Sequence, residues 1–194
     1  DFFKMITIYL YENTIQYKDK KQIEEIEFPK EAMQFGKIKN ISIFELSLHK
    51  LIVRQKWVTL FKAQKMSIIV PANYTEMDKE VLTTILNNLG ITRIQYIKEI
   101  NLYNFKKNQI YLNIHKHYLI MLKKEYKKIN SFIYPFYIFN TLESTLKYIL
   151  SKEKKSKIYL LGSNTTIPNI VNKLKQERIF YYHDYKNHLI SKIP

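Results

Sequence analysis

The sequence predicts an α/β protein made of two similar halves, each a mixed sheet flanked by helices. Three observations carry this. Short β-branched and aromatic runs recur along the chain, beginning with residues 5–11, MITIYLY. Between them lie longer segments with apolar residues at helical spacing, such as Ile41, Phe44, Leu48, Leu51 and Ile52. The order hairpin, helix, strand, helix, strand is met twice.

In the first half, strand 5–11 turns at Glu12-Asn13 and returns as 14–18, with 22–28 as a third strand ended by Pro29. A helix is expected over 41–57. Residues 67–70 read as a short buried strand stopped by Pro71. Thr75 with Asp78 three residues on is an approximate capping box. The helix it opens carries Met77, Val81, Ile85 and Leu89 as one stripe, widened by Leu82 and Leu86, and Gly90 suits its C-terminus. Residues 92–97 are the next strand. In the second half, 109–114 and 117–123 read as a hairpin. Residues 132–139 are an aromatic strand-like run broken by Pro135, 141–152 a helix, and 157–161 a strand closed by Gly162. Pro168 fits the first turn of a helix over 168–176, followed by a strand over 178–182 and a short helix over 184–191.

The chain has 194 residues, 46% hydrophobic and 25% charged, the balance of a folded domain able to bury a core. Its formal net charge of +15 suits a polyanion partner. The excess is Lys, however, with Arg only at 54, 93 and 178, and Gly totals 3. Abundant Lys, Asn, Ile, Tyr and Phe is the composition an AT-rich genome writes, whereas phosphate and base readout favour the bidentate fork of Arg. There is no Cys, so disulfide and thiol chemistry are excluded. No apolar run approaches the ~20 residues of a membrane helix, and no signal peptide is visible. The expected location is a bacterial cytoplasm or an organellar matrix.

Residues 67–99, SIIVPANYTEMDKEVLTTILNNLGITRIQYIKE, resemble a segment of MreB, FtsA and DnaK-type chaperones. There a strand ends in Val-Pro, a helix opens at Thr-Glu, and the next strand ends in an acidic residue. Val70-Pro71, Thr75-Glu76 and Glu99 fall in those places. Residues 157–174, KIYLLGSNTTIPNIVNKL, resemble the family's last strand, glycine turn and helix, with Gly162, Ser163, Thr166, Ile167 and Pro168 on the pattern. Asn13-Thr14, with Tyr17 after them, resemble its N-terminal phosphate hairpin. The chain is thus identified as a degenerate, shortened member of the actin-like ATPase superfamily. The resemblance implies two RNase H-like lobes, residues 1–100 and 101–194, with the outer subdomains reduced or missing. The stretch 21–40, and that between the hairpin at 110 and the strand at 157, are too short to hold them.

The departures bear on function. The family's first phosphate loop has an Asp and a Gly where Ile8 and Leu10 stand. In place of the glycine-rich second loop runs Asn113-Ile114-His115-Lys116-His117-Tyr118, with no glycine to admit phosphate and no carboxylate to hold Mg²⁺ through water. At the adenosine turn only Gly162 survives, followed by Ser163 and Asn164. Asn13, Thr14, Glu99, Gly162 and Ser163 are therefore read as vestigial positions. Glu99 matches the acid near the family's attacking water but has nothing to act on, so it is expected as a surface or strand-end carboxylate.

His115 and His117 share a strand face and could offer two imidazoles, yet spacing suggests no third ligand, so no metal and no cofactor is expected. Lys123, Lys124, Lys127 and Lys128 cluster, as do Lys152, Lys154, Lys155 and Lys157. These are either solvated element ends or a polyanion patch. Tyr134, Phe136, Tyr137 and Phe139, and likewise Phe180, Tyr181 and Tyr182, are either core or an exposed partner strip. The leading expectation is a non-catalytic scaffold, a pseudo-ATPase partnered by other protein subunits in an oligomer or filament, with no small-molecule substrate. The alternatives are a basic subunit of a ribonucleoprotein or organellar complex, binding RNA or an anionic membrane surface, and a residual ATP-binding protein.

Overall fold

The computed structural model describes residues 5–19, 22–58, 65–103, 105–106, 108–115, 118–125, 128–162, 167–174, 177–182 and 190. They fall into two compact units, one over Asp1–Leu102 that also takes in Leu189–Pro194, the other over Tyr103–His188.

The first unit begins with β1 (Met5–Tyr11), β2 (Thr14–Asp19) and β3 (Gln22–Glu27), an antiparallel meander. Where an outer subdomain had no room there is only a small hairpin, β4 (Met33–Gln34) and β5 (Lys37–Ile38). Helix α1 (Ile41–Gln55) starts at Asn40, whose side chain accepts the Ile43 N–H, and ends at Lys56 in the left-handed region. Strand β6 (Lys65–Val70) lies parallel to β1, with Thr7 beside Ser67. Helix α2 (Glu76–Asn88) has the expected capping box: Thr75 Oγ1 accepts from Asp78 N at 3.1 Å and Thr75 N donates to Asp78 Oδ2 at 2.7 Å. Burial works against the Asp78 charge, but bonds from Lys37 and Thr75 outweigh it and hold the carboxyl below its ordinary range. Strand β7 (Arg93–Lys98) pairs parallel to β6 and runs into a 3-10 turn, Glu99–Leu102.

The second unit repeats the plan with β8 (Gln109–Ile114), β9 (Tyr118–Glu125), β10 (Lys128–Pro135), α3 (Phe136–Phe139), α4 (Leu142–Lys152), β11 (Lys157–Leu161), α5 (Ile167–Leu174) and β12 (Ile179–Tyr182). The strand orders are β3-β2-β1-β6-β7 and β10-β9-β8-β11-β12, the same winding in both. The aromatic run 132–139 is half strand and half helix. Pro135 has no N–H and a fixed φ, so it ends β10 and leads into α3, which stops at Asn140 with φ 64. Arg178 donates to the carbonyls of Glu153 and Leu150, satisfying the C-terminal end of α4. The short helix expected over 184–191 lies outside the described residues except for Ile190, which is helical and buried.

Each unit has its own core. In the first, Ile6, Ile8 and Leu10 of β1 meet Phe44, Leu48, Leu82 and Leu86. In the second, Ile110, Leu112, Leu146, Ile149, Ile158 and Leu160 pack together. Each fully buried aliphatic side chain contributes about 1.5–3 kcal/mol. Among the described residues, no helix is long and apolar enough to cross a membrane.

Candidate functional site

The β1–β2 turn is where the sequence places the first vestigial loop. It is tight: Tyr11 pairs directly with Thr14, and Glu12 takes φ 49 to make the bend. Asn13 is committed to the scaffold. Its Nδ2 donates to Phe28 O at 2.8 Å and to Glu27 Oε1 at 3.0 Å, while its carbonyl accepts from Phe28 N at 2.7 Å. Thr14 pairs with Glu27 on the other side. The turn is also covered, because Gly36 N donates to Glu12 O at 2.7 Å. Gly36 has φ +72, and a Cβ there would stand 2.4 Å from Pro71 Cγ, so only glycine fits.

Side chains alternate along β1. Ile8 and Leu10 point into the first core, while Thr7, Tyr9 and Tyr11 lie on the opposite face and are buried as well. Tyr9 sits beside Ile69, which sits beside Ile97, so Glu99 is two residues beyond Tyr9 along its row. That is within a phenol's reach. Tyr9 Oη donates to Glu99 Oε2 at 2.5 Å, and Ala72 N donates to Oε1 at 3.3 Å. Glu99 stands at the end of its strand but not at the surface, being only 2% exposed. The expectation of a surface carboxylate fails because the Tyr9 hydroxyl and the Ala72 amide solvate the charge internally. The ring of Tyr11 lies tilted against that of Tyr9, with centroids 5.3 Å apart and planes at 47°. Beside Thr7, the carboxylate's face of β1 thus carries two phenols, Tyr9 and Tyr11, which no sequence motif marks.

In the second unit the β8–β9 hairpin closes on itself. His115 N donates to Tyr118 O at 2.9 Å, and the two rings stack at 4.4 Å and 7°. Asn113 is buried and its Oδ1 accepts from Tyr103 Oη at 3.1 Å. Lys116 and His117 lie outside the described residues, and so does Ser163 with Asn164 and Thr166. Among the described residues no group of three His, Cys, Asp or Glu could hold a metal. Gly162 packs against the end of β8: a Cβ would stand 3.0 Å from Ile114 O, and its own carbonyl accepts from Tyr181 Oη at 2.9 Å.

The fold gathers the two lysine clusters. Lys157 opens β11 opposite Gln109, Ile110 faces Lys123, and Lys128 faces Glu125, so these ends lie together. Lys123 itself is spent. Its Nζ meets Glu153 at 2.7 Å and Glu125 at 3.2 Å, and the Glu153 bond holds its pKa above the ordinary lysine range. Lys124, Lys128, Lys152, Lys154, Lys155 and Lys157 are exposed at that end, and Lys127 lies outside the described residues. The aromatic run divides: Tyr134 and Phe136 pack on the second core, while Tyr137 is 81% and Ile138 59% exposed. Phe132 and Ile133 of β10 are exposed beside them. Phe180 stacks on Tyr159 at 5.2 Å.

No family model matches this sequence, and no curated protein matches it. Solved structures do. Ethanolamine utilization protein EutJ from Carboxydothermus hydrogenoformans superposes with a TM-score of 0.60 at 9% identity, over 92% of this chain and 84% of that one. AlfA from B. subtilis, a filament structure, gives 0.60 at 11% identity over 91% of each chain. A Bacteroides thetaiotaomicron protein with actin-like ATPase fold gives 0.59 at 11% identity over 95% of each. At such identities the likeness is one of fold. This chain has the actin-like ATPase fold in shortened form.

Proposed function

We propose that this actin-like chain is a non-catalytic scaffold or assembly subunit, working through protein–protein contacts with its nucleotide site lost. The carrying observation is the Tyr9–Glu99 contact. A fully buried phenol stands on the face of β1 that carries the acid, and the acid's oxygens accept from protein donors. A carboxylate held in this way anchors β1 to the end of β7, with both of its oxygens already accepting from protein donors. The covered β1–β2 turn and the self-stacked His115–Tyr118 hairpin support the same reading, since neither presents a glycine-lined row of amides to a phosphate. The filament formed by AlfA supports assembly between copies. The test is thermal stabilisation by ATP with Mg²⁺. None is expected, and a saturable shift would replace this reading with that of a residual ATP-binding protein.

A separate observation favours a second reading. The exposed lysines of the second unit share one end of its sheet, which suits an RNA or another polyanion. Its test is RNA binding with a steep salt dependence.

A further inference from the structure

Sheet edges are where a chain of this kind can be joined, because an edge strand offers unpaired N–H and C=O groups. Among the described residues the edges are β3 and β7 in the first sheet and β10 and β12 in the second. They differ sharply. Strand β12 is only four residues long, and β7 is bounded by Arg93 and Lys98. Strand β10 is eight residues long, with no charge between Ile129 and Pro135 and with Phe132 and Ile133 exposed. Strand β3 is acidic. Glu24, Glu25 and Glu27 are all exposed on it, in a chain with 17 acids against 32 bases.

We propose that β10 of one copy adds antiparallel to β3 of the next, giving a head-to-tail contact between copies. This rests on the assembly reading above and names its partner. With Lys128 opposite Glu27 of the neighbouring copy, the period of the strands sets Ile129 opposite Ile26 and Phe132 opposite Ile23. Lys124 stands beside Ile129 in the sheet and adds a second cation near the acidic edge. Exposed Phe132 and half-buried Ile129 of β10 thereby meet the two half-buried isoleucines of β3, and exposed Ile133 falls opposite Gln22. Like-with-like pairings are poorer. Two β3 edges oppose their carboxylates. Two β10 edges centred on Phe132 put Lys128 opposite Phe136 and leave the acidic edge bare. Because the two surfaces differ, the contact is heterologous, and each copy keeps one free edge to continue a chain of copies. Lys–Glu pairs at an exposed edge also make the contact salt-sensitive.

The experiment is sedimentation velocity on the full chain over a range of concentrations. The wild-type protein is expected to give a ladder of oligomers that shortens as salt is raised. Ile133→Asp, an acid set beside the acidic edge and a poor strand former, blocks β10, and Glu25→Lys with Glu27→Lys blocks β3. Each variant alone is expected to be monomeric, and an equimolar mixture is expected to form a dimer and nothing larger. A β3-blocked protein that still self-associates would overturn the proposal in favour of β10-on-β10 pairing or another surface. So would a mixture that stays monomeric while both variants keep the wild-type circular dichroism. Hydrogen exchange of the unmutated protein covers the case of misfolding. Amides of 23–26 and 129–133 are expected to become protected together as concentration rises, and unchanged exchange there refutes the contact. A monomeric wild type that also ignores ATP sinks this inference but leaves a scaffold for a different protein standing.

Discussion

Tyr9→Phe removes one oxygen from the first unit and nothing else. The ring of Tyr9 is wholly buried, so phenylalanine keeps the shape and leaves no large cavity. What disappears is a 2.5 Å hydrogen bond to a carboxylate that is 2% exposed. Bonds to charged groups contribute about 1.5–3 kcal/mol, and Glu99 would have to be solvated by its other contacts. A loss of about 2 kcal/mol is expected. At roughly 2–4 °C per kcal/mol for a chain of this length, Tm should fall by about 4–8 °C. Calorimetry or circular dichroism reads the shift, and urea unfolding should show a lower midpoint at unchanged m-value. A double-mutant cycle with Glu99→Gln isolates the pair, since groups in contact should couple rather than add. If Tyr9→Phe melts within a degree of wild type, or if the two substitutions are additive, the phenol does not hold the carboxylate as described.

Two further outcomes are expected. Asp78→Ala removes half of the α2 capping box and the Lys37 ion pair, at a cost of about 1 kcal/mol or somewhat more at neutral pH. The folded Asp78 carboxyl lies below its ordinary value, so its contribution is complete above the unfolded pKa of about 3.9 and is lost as pH falls through the folded value. The stability gap between wild type and variant should thus be flat from about pH 7 to 5 and close in stronger acid. A gap that widens on acidification contradicts the assignment. For the polyanion reading, Lys154→Glu with Lys155→Glu should weaken RNA binding and reduce the slope of log affinity against log salt by about 1.4, at roughly 0.7 per phosphate contact. An unchanged slope places any RNA elsewhere.

Much of the fold could be read from local signals because those signals act over a few residues. The capping box at Thr75 and Asp78, the left-handed Gly90 after α2, and the proline stop at Pro71 all depend on near neighbours. The twofold repetition of hairpin, helix, strand, helix and strand was likewise visible as a pattern of periods. Pro135 marked a break, but the helical turn that follows it is too short to announce itself by periodicity. The candidate site was harder. The resemblance set the lost phosphate-loop positions at Ile8 and Leu10, which face the core. The residues beside Glu99 are the odd-numbered Tyr9 and Tyr11. Strand parity was available in the sequence as Ile6, Ile8 and Leu10 against Tyr9 and Tyr11. Which face carries Glu99 depends on the pairing of β1 with β6 and β6 with β7, a register that only the tertiary fold supplies. Two lysine clusters about thirty positions apart meet for the same reason, through β8 pairing with both β9 and β11.

The most direct measurement is the melting temperature of the wild-type chain with and without millimolar ATP and Mg²⁺. A ligand held at 100 times its dissociation constant stabilises by about 2.7 kcal/mol, which is several degrees here. A Tm unmoved by ATP is the outcome expected of a fold whose β1–β2 turn is covered by Gly36 and whose β8–β9 hairpin closes on itself. A shift that saturates with ATP would contradict it and make the chain a nucleotide-binding protein.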